Sequence, residues 1–408
     1  MPYSFLSIDT IPDYIRNQPR LADRIDAGSI TDVTEVGDGN LNLVFIIRDA
    51  HGGGLVLKQA LPYVRLVGPD WPMTPERARH EVEALELHRR HAPNLVPEVY
   101  HFDADRYILG MEDLSDHRVW RGALNDGLMH EGAAELMGEY VAAVAFGTSI
   151  FGMDPEEQKV IAARSTNPQL CTITEDLVFT EPFSLGGRNS VIPANEGDAA
   201  ALIADDIMVR AMGRAKFAFM TQGEALIHGD LHTGSVMVRA ADGNDGPVDS
   251  AKAFDSEFAF YGPVAFDLGA LWANYTIAAA RATALGDDAR ADWCLNLCDA
   301  TWGSFENAFR TAWPTRRDPR VFTDDFGDDL IDRWHRETWL FAAAKMSRRV
   351  VGLAKASDVE TLPEDLREGA ARGLLETARA AVRLRTPDSR TSHYIRTASD
   401  ALRASSTR

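Results

Sequence analysis

Extended-chain signals crowd into the first quarter of this sequence and then give way to helical patterning. Thr31 to Lys58 holds two apolar, β-branched runs, Leu43-Val44-Phe45-Ile46-Ile47 and Leu55-Val56-Leu57, with the turn-forming Asp49-Ala50-His51-Gly52-Gly53-Gly54 between them. That is a hairpin. From Pro75 the pattern turns helical, with Ala78, Val82 and Leu85 on one face, until Pro93 and Pro97 end it. Val99 to Met111 reads as strand again, and Glu112-Asp113-Leu114 closes the segment. Helical periodicity then covers about 131–147, 197–219, 267–283, 286–311, 326–356 and 363–384, interrupted by β-like pieces at 225–228, 235–239 and 252–256. Strands first and helices after predict an α+β chain. Its 408 residues suit two lobes. We expect a small β-rich lobe over 1–115, with residues 1 to about 30 packed on it as an extension, and a larger, mainly helical lobe over 116–408. The polar tail after Pro387 stays open between helix and frayed chain.

The three short β-like pieces carry the chemistry. Ile227-His228-Gly229-Asp230-Leu231-His232-Thr233-Gly234-Ser235 puts an aspartate on a glycine-flanked loop at a strand end, and a hairpin returns Asp255-Ser256-Glu257 beside it. Phosphoryl transfer needs this grouping: one carboxylate to orient and deprotonate a hydroxyl, others to hold Mg²⁺ against nucleotide phosphates. The residues point to a small-molecule kinase using ATP and Mg²⁺. Asp230 would be the base, Asp255 would bridge the metal to the phosphates, and Glu257 would support or share it. Ser235 stands where such kinases often place a metal-binding asparagine; its hydroxyl would act directly, through water, or only structurally. His228 and His232 would brace the loop by hydrogen bonds. Asp267 opens a helix and either suits the helix dipole or ties the loop by accepting backbone N–H bonds.

Three further stretches fit a nucleotide. Gly37-Asp38-Gly39-Asn40-Leu41-Asn42 lies between two strands, where glycines let backbone N–H groups approach a phosphate. It is not a P-loop, since no Gly-Lys-Ser/Thr follows and no helix starts there. Lys58 ends the next strand in an apolar context, where a lone ammonium is costly unless paired. It would reach phosphates and be oriented by a helix glutamate, for which Glu81 flanks the right face and Glu83 does not. Met111-Glu112-Asp113-Leu114, between the lobes, would offer backbone groups to the adenine edge.

Composition bounds the partners. A net charge of −19 leaves no basic stripe for a nucleic-acid backbone, though a few focused donors can still hold ATP. No run of about 18 apolar residues predicts a membrane span. Met1-Pro2-Tyr3-Ser4-Phe5-Leu6 lacks a basic segment followed by an apolar one, so secretion is not indicated. Cys171, Cys294 and Cys298 make no disulfide framework, which fits a cytoplasmic protein, and Cys294 and Cys298 are expected to pack in the core.

His228-Gly229-Asp230-Leu231-His232 with the later Asp255 resembles the aminoglycoside phosphotransferase and choline kinase group, which shares a protein-kinase-like two-lobed fold. Longer stretches resemble the methylthioribose kinases more closely. These are Gly37 to Phe45, Trp71-Pro72-Met73-Thr74 with Arg77-Ala78-Arg79, Asn167-Pro168 with 170–183, His228 to Ser235, Tyr261-Gly262-Pro263 with Phe266-Asp267, and Arg348-Arg349 before Gly352-Leu353-Ala354. The resemblance runs from about 30 to 360, and Ser235 also looks like this family. It implies phosphorylation of the anomeric hydroxyl of 5-methylthioribose by ATP and Mg²⁺, a step of methionine salvage, in a homodimer. Carried over, Asn40 and Lys58 would contact the nucleotide, with Glu112, Asp113 and Leu114 at the adenine. Asp230 would meet the sugar, Asp255 and Glu257 would hold Mg²⁺, and Arg348 and Arg349 would line the substrate end. Trp71 would sit in a loop over the nucleotide site or act as a buried anchor. Ser256 replaces a usual proline and Lys355 an expected histidine, which leaves room for another 5-substituted pentose.

Three other readings compete. A kinase of this fold acting on an amino alcohol or aminoglycoside would need a strongly acidic acceptor pocket, where Arg348-Arg349 would be misplaced. A metal hydrolase built on His228, Asp230 and His232 leaves Lys58 and Asp255 unexplained. A binding protein without catalysis is opposed by the intact Lys58, Asp230 and Asp255.

Overall fold

Residues 3–37, 41–65 and 68–406 are described by the structure, a computed structural model. Among the described residues, seven strands come before residue 113: β1 (Ile30–Glu35), β2 (Asn42–Asp49), β3 (Gly54–Ala60), β4 (Tyr63–Val64), β5 (Gly68–Pro72), β6 (Val99–Asp103) and β7 (Ile108–Glu112). Five form one antiparallel sheet in the order β1-β2-β3-β7-β6, while β4 and β5 pair as a separate ribbon. The 99–111 segment, expected as one strand, is therefore a hairpin. Its turn contains no Gly or Pro. Instead the Asp103 carboxylate accepts the N–H groups of Asp105 and Arg106, and Tyr107 takes φ +51°.

Side chains alternate across this sheet. Leu55, Leu57 and Ile108 face the N-terminal extension, where Ile11, Ile15, Leu21 and Ile25 cover them. Val56, Leu109 and Met111 join Val82 and Leu85 of the helix Arg77–His91 in the main core. The same alternation sends Lys58, two residues on from Val56, toward that helix.

The remaining strands are short: β8 (Arg118–Val119), β9 (Ala225–Ile227), β10 (Val236–Ala240), β11 (Val248–Ala253) and β12 (Phe260–Gly262). β10 pairs with β11 and β8, and β9 pairs with β12. Around them pack the helices Ala133–Gly147, Val264–Ala284, Asp288–Ala312, Asp324–Val351 and Glu364–Leu384. Val264–Ala284 is buried on nearly every side and forms the axis of the helical part, as its uniformly apolar and small residues require. The α+β architecture expected from the sequence is thus observed, with a β-sheet N-terminal region and a mostly helical remainder.

Some boundaries differ. The stretch 197–219 is two helices, Glu196–Ile203 and Asp206–Thr221, because Asp205 leaves the helical conformation and caps the second through the N–H groups of Ile207 and Met208. The helix expected over 326–356 stops at Val351, where Gly352 extends the chain. Pro155–Arg164 and Pro168–Thr174 are helices that the sequence reading did not mark, and a π-helical turn, Glu175–Thr180, follows the second. The tail settles as the helix Thr391–Ser405, with Tyr394, Ala398 and Leu402 buried. Cys294 and Cys298 lie in the core as expected, and burial pushes the Cys294 thiol up to about 12. Among the described residues no helix is long and apolar enough to cross a membrane.

One buried histidine fastens the sheet region to the strand that carries the motif. His88 donates from Nε2 to the Leu226 carbonyl of β9 at 2.7 Å and accepts the Tyr140 hydroxyl at Nδ1, 2.9 Å away. Burial lowers its pKa to about 3, so it stays neutral and can accept at Nδ1.

Candidate active site

The loop leaving β9 is shaped by a reversal at Gly229. Its φ is +81°, and a Cβ there would stand 2.2 Å from the Phe258 carbonyl oxygen, so only glycine fits. The buried Asp267 carboxylate accepts the N–H of His228 at 2.7 Å and of Gly229 at 3.1 Å. Of the two readings for Asp267, the loop tie is the one realised. His228 donates from Nε2 to the Phe254 carbonyl at 2.9 Å, and its Nδ1 receives the Asp230 N–H at 3.3 Å. Phe254 N–H returns to the Ser235 carbonyl at 3.0 Å, and the Ser235 hydroxyl meets His232 Nδ1 at 3.2 Å. The two histidines brace the loop, and Ser235, fully buried, is spent on the same network.

A second group forms where β3, the Arg77–His91 helix and the β11–β12 loop converge. Lys58 Nζ lies 2.8 Å from Glu81 Oε2 and is also paired with Asp255. Burial would lower the lysine's pKa, but Asp255, Glu81 and Glu257 together raise it, so it is firmly an ammonium. Glu81 and Glu257 are almost fully enclosed, and burial drives both upward against the pull of Lys58. Asp255 differs: its side chain is 41% exposed and its backbone takes φ +66°, a left-handed conformation uncommon for a residue other than glycine. Oxygens of Glu81, Asp255 and Glu257 lie within 4.8 Å of one another, a spacing that suits a hard cation. Glu257 is further held by Asn42 Nδ2 at 2.9 Å and by Arg77 Nε at 3.2 Å. Asn167 clamps the loop itself through the carbonyls of Glu257 and Ala259.

Asp230 sits in the opposite electrostatic setting. Lys345 Nζ donates to its Oδ1 at 2.8 Å, while Oδ2 is 3.5 Å from His232 Nε2, longer than a good hydrogen bond. The carboxylate is recessed but 21% exposed. Burial alone would raise its pKa; Lys345, His232, Arg348 and Arg349 outweigh that and hold it well below the usual carboxylate range. Arg349 is buried and reaches the carbonyls of Ala354 and Lys355 at 3.4 Å. Arg348 keeps a buried Nε that has no hydrogen-bond acceptor among the described residues. Arg121 closes this side, bonded to Asn274 Oδ1 at 2.6 Å and paired with Asp358 at 3.3 Å.

The other expected residues fall as follows. Both Glu112 oxygens are taken by Lys252, at 2.6 and 2.7 Å, and Asp113 pairs with Arg48 at 3.2 Å. Leu114 is buried and its carbonyl accepts the His117 N–H. The side chains of Glu112 and Asp113 are thus engaged within the protein. Asn40 lies outside the described residues, with Asp38 and Gly39. Trp71 is partly buried against Leu170, Val64 and Met73, and the Arg188 guanidinium stands 4.9 Å over its ring. Arg188 in turn pairs with Glu181 at 2.6 Å, so the 170–183 stretch reaches Trp71 from the helical side. Lys355 is tied to the Ser190 carbonyl, and Ser256 is buried with an unpartnered hydroxyl.

Four of these residues, Lys345, Arg121, Arg77 and Asn274, were not picked out for chemistry by the sequence reading. Lys345 had a signal. It is a lone cation in Leu340-Phe341-Ala342-Ala343-Ala344-Lys345-Met346, the same anomaly that marked Lys58. Arg121 and Asn274 had none, since their partners lie on distant helices.

Comparison with known proteins agrees with this geometry. The model of a phosphotransferase enzyme family matches residues 32–306. The chain is 39% identical over 344 residues to a methylthioribose kinase of Cronobacter sakazakii, covering 83% of this chain and 84% of that one. It is 36% identical over 391 residues to a methylthioribose kinase of Yersinia pseudotuberculosis, with 93% and 92% covered, and 36% identical over 353 residues to one from Enterobacter sp. (strain 638), with 83% and 84% covered. A carboxylate held ionised beside a lysine–carboxylate cluster, in a chain matched over most of its length by these relatives, settles the family: the chain belongs to the phosphotransferase enzyme family and, within it, to the methylthioribose kinases.

Proposed function

We propose that the protein transfers the terminal phosphoryl group of ATP to the anomeric hydroxyl of 5-methylthioribose, giving the 1-phosphate, a reaction of methionine salvage. The observation that carries this reading is Asp230: ionised, recessed, and with one oxygen held by Lys345 while the other stands 3.5 Å from the His232 ring. In the step, the hydroxyl O–H bond breaks and its proton passes to Asp230 Oδ2. The hydroxyl oxygen forms the new bond to phosphorus, and the old P–O bond breaks with its electron pair leaving on ADP. Lys58, held by Glu81, is placed to meet the donor phosphates; the backbone of Glu112, Asp113 and Leu114, with Asn40, would serve the nucleotide, and Arg348 and Arg349 the sugar end.

The carboxylates fit a magnesium ion, since clustered hard oxygens on a partly open loop are what that ion takes. Asp255 and Glu257 would hold it, with Ser235 nearby in the same loop network, and when bound it supplies charge neutralisation to the phosphates. An acceptor carrying ammonium groups is disfavoured, because Lys345, Arg348 and Arg349 crowd Asp230 with positive charge. We extend the proposal to a homodimer in the cytoplasm, supported by the family resemblance; light scattering of the purified protein tests the first point.

ATP turnover against methylthioribose, ribose, choline and an aminoglycoside tests the reading. Methylthioribose should be turned over with the highest kcat/KM. No phosphorylation of any 5-substituted ribose would overturn it.

A further inference from the structure

We propose that Lys345 is a positioning residue for phosphoryl transfer, which pins one oxygen of the Asp230 carboxylate and so dedicates the other to the acceptor hydroxyl. The proposal rests on the reading of Asp230 as the base. Three observations carry it. The ammonium donates to Oδ1 at 2.8 Å, while Oδ2 stands 3.5 Å from His232 Nε2, longer than a good hydrogen bond. The lysine side chain is 4% exposed, so bulk water does not compete for the ammonium. Its approach is fixed from behind, because Nζ also lies 4.4 Å from the centroid of the buried Phe266 ring, a cation–π contact that limits where the ammonium can sit.

The arrangement is costly as a stabilising device. Replacing a buried ion pair by apolar groups is often neutral or favourable to stability, and the helix around Lys345 is already apolar. Its return is geometric: a carboxylate free to rotate about its Cβ–Cγ bond would present either oxygen, whereas this one presents Oδ2. Lys345 neither gains nor loses a proton in the step. The groups facing Asp230 are Lys345, Arg348 and Arg349 from the helix Asp324–Val351 and His232 from the loop, with Asp267 and Arg121 behind them. Among the described residues, Lys345 is the cation that donates a hydrogen bond to the carboxylate.

The experiment uses Lys345→Met and Lys345→Gln in the full-length protein with ATP and methylthioribose. Expected for both is a fall in kcat of about 10²-fold, within the range that base catalysis supplies, with KM for ATP within about twofold of wild type. The acidic limb of kcat/KM against pH should move upward, since the cation that favours the carboxylate is gone. In an Asp230→Asn background, Lys345→Met should lower the residual rate no further. Gln keeps a donor and a polar stem, so it reads the same limb where Met fails to fold. An unshifted limb with kcat near wild type in a folded variant, or losses that add in the double variant, would overturn the proposal. Wild-type protein inactive on every 5-substituted ribose would instead sink the function from which it starts.

Discussion

Arg77 Nε lies 3.2 Å from Glu257 Oε2, and the same guanidinium donates to the carbonyls of Leu41, Leu61 and Thr74 and to Asn42 Oδ1. One fully buried side chain thus joins the end of the glycine-rich turn, the exit of β3 and the acidic group. Arg77→Met should destabilise the fold by about 3–5 kcal/mol, because it leaves Glu257 buried beside unpaired carbonyls. Urea denaturation measures this. Arg77→Lys should recover little, as one ammonium cannot reach acceptors spread around a planar fork.

Asp230→Asn keeps the shape of the base and removes its proton affinity. Turnover should fall by 10²-fold or more, on the order of what general-base catalysis supplies. Calorimetry should show nucleotide affinity unchanged, since the residues around Lys58 are untouched. A variant with near-normal activity would mean that another group takes the proton.

Lys58→Met removes the ammonium between Glu81 and Asp255. The expected result is a loss of at least about tenfold in kcat/KM for ATP, with KM for the sugar nearly unchanged, because on the proposed function the missing charge would meet the donor phosphates. Steady-state kinetics with each substrate varied in turn separates the two.

Asp205 offers a pH test of stability away from the site. It caps the helix Asp206–Thr221 and pairs with Arg379 at 2.9 Å and with Arg383. Burial pushes its pKa up, but the bond to Arg379, the Met208 N–H and Arg383 outweigh this and hold it below the ordinary aspartate value. A depressed folded-state pKa gives stability that is present above the unfolded value and lost as pH falls through the folded one. Asp205→Ala should therefore cost about 1–2 kcal/mol at neutral pH. The gap from wild type should narrow below about pH 4, near the unfolded aspartate pKa. Thermal melts across pH 3–7 would show it.

Gly229→Ala sets a side chain against the Phe258 carbonyl in a conformation that L-residues avoid. The loop must shift, carrying Asp230 with it. Activity should fall by more than tenfold even where circular dichroism shows a folded protein, since a displacement near 1 Å can cost about 10²-fold.

Legibility in the sequence followed the range of the interaction. Lys58 and Glu81 could be matched because strand alternation and helix periodicity each state which way a side chain points, and only one pairing satisfies both. Asp230 stood out because its loop is flanked by glycines at a strand end, and Asp255 and Glu257 because a short hairpin returns them beside it. Lys345 did not, although it lay in plain view within an apolar run, because its partner is 115 residues away and nothing local names it. The hairpin at 99–111 was read as one strand because its turn is made by a side chain, Asp103, and not by Gly or Pro. The break at Asp205 had a cap residue to mark it, but the apolar periodicity runs across that point on both sides and masked the signal.

The contact between Lys58 and its carboxylates has a thermodynamic consequence. The acidic group in this strongly acidic chain carries its own counterions, Lys58 on Glu81 and Asp255 and Arg77 on Glu257, so its charge is partly offset before any ligand arrives. On the proposed function, binding there would be an ion exchange, not a capture. An anion that draws the ammonium toward itself releases Asp255 for a cation, and a cation on Asp255 releases the ammonium for an anion. Each ligand thereby raises the affinity for the other by the same factor, and the site takes a cation–anion pair more readily than either member alone.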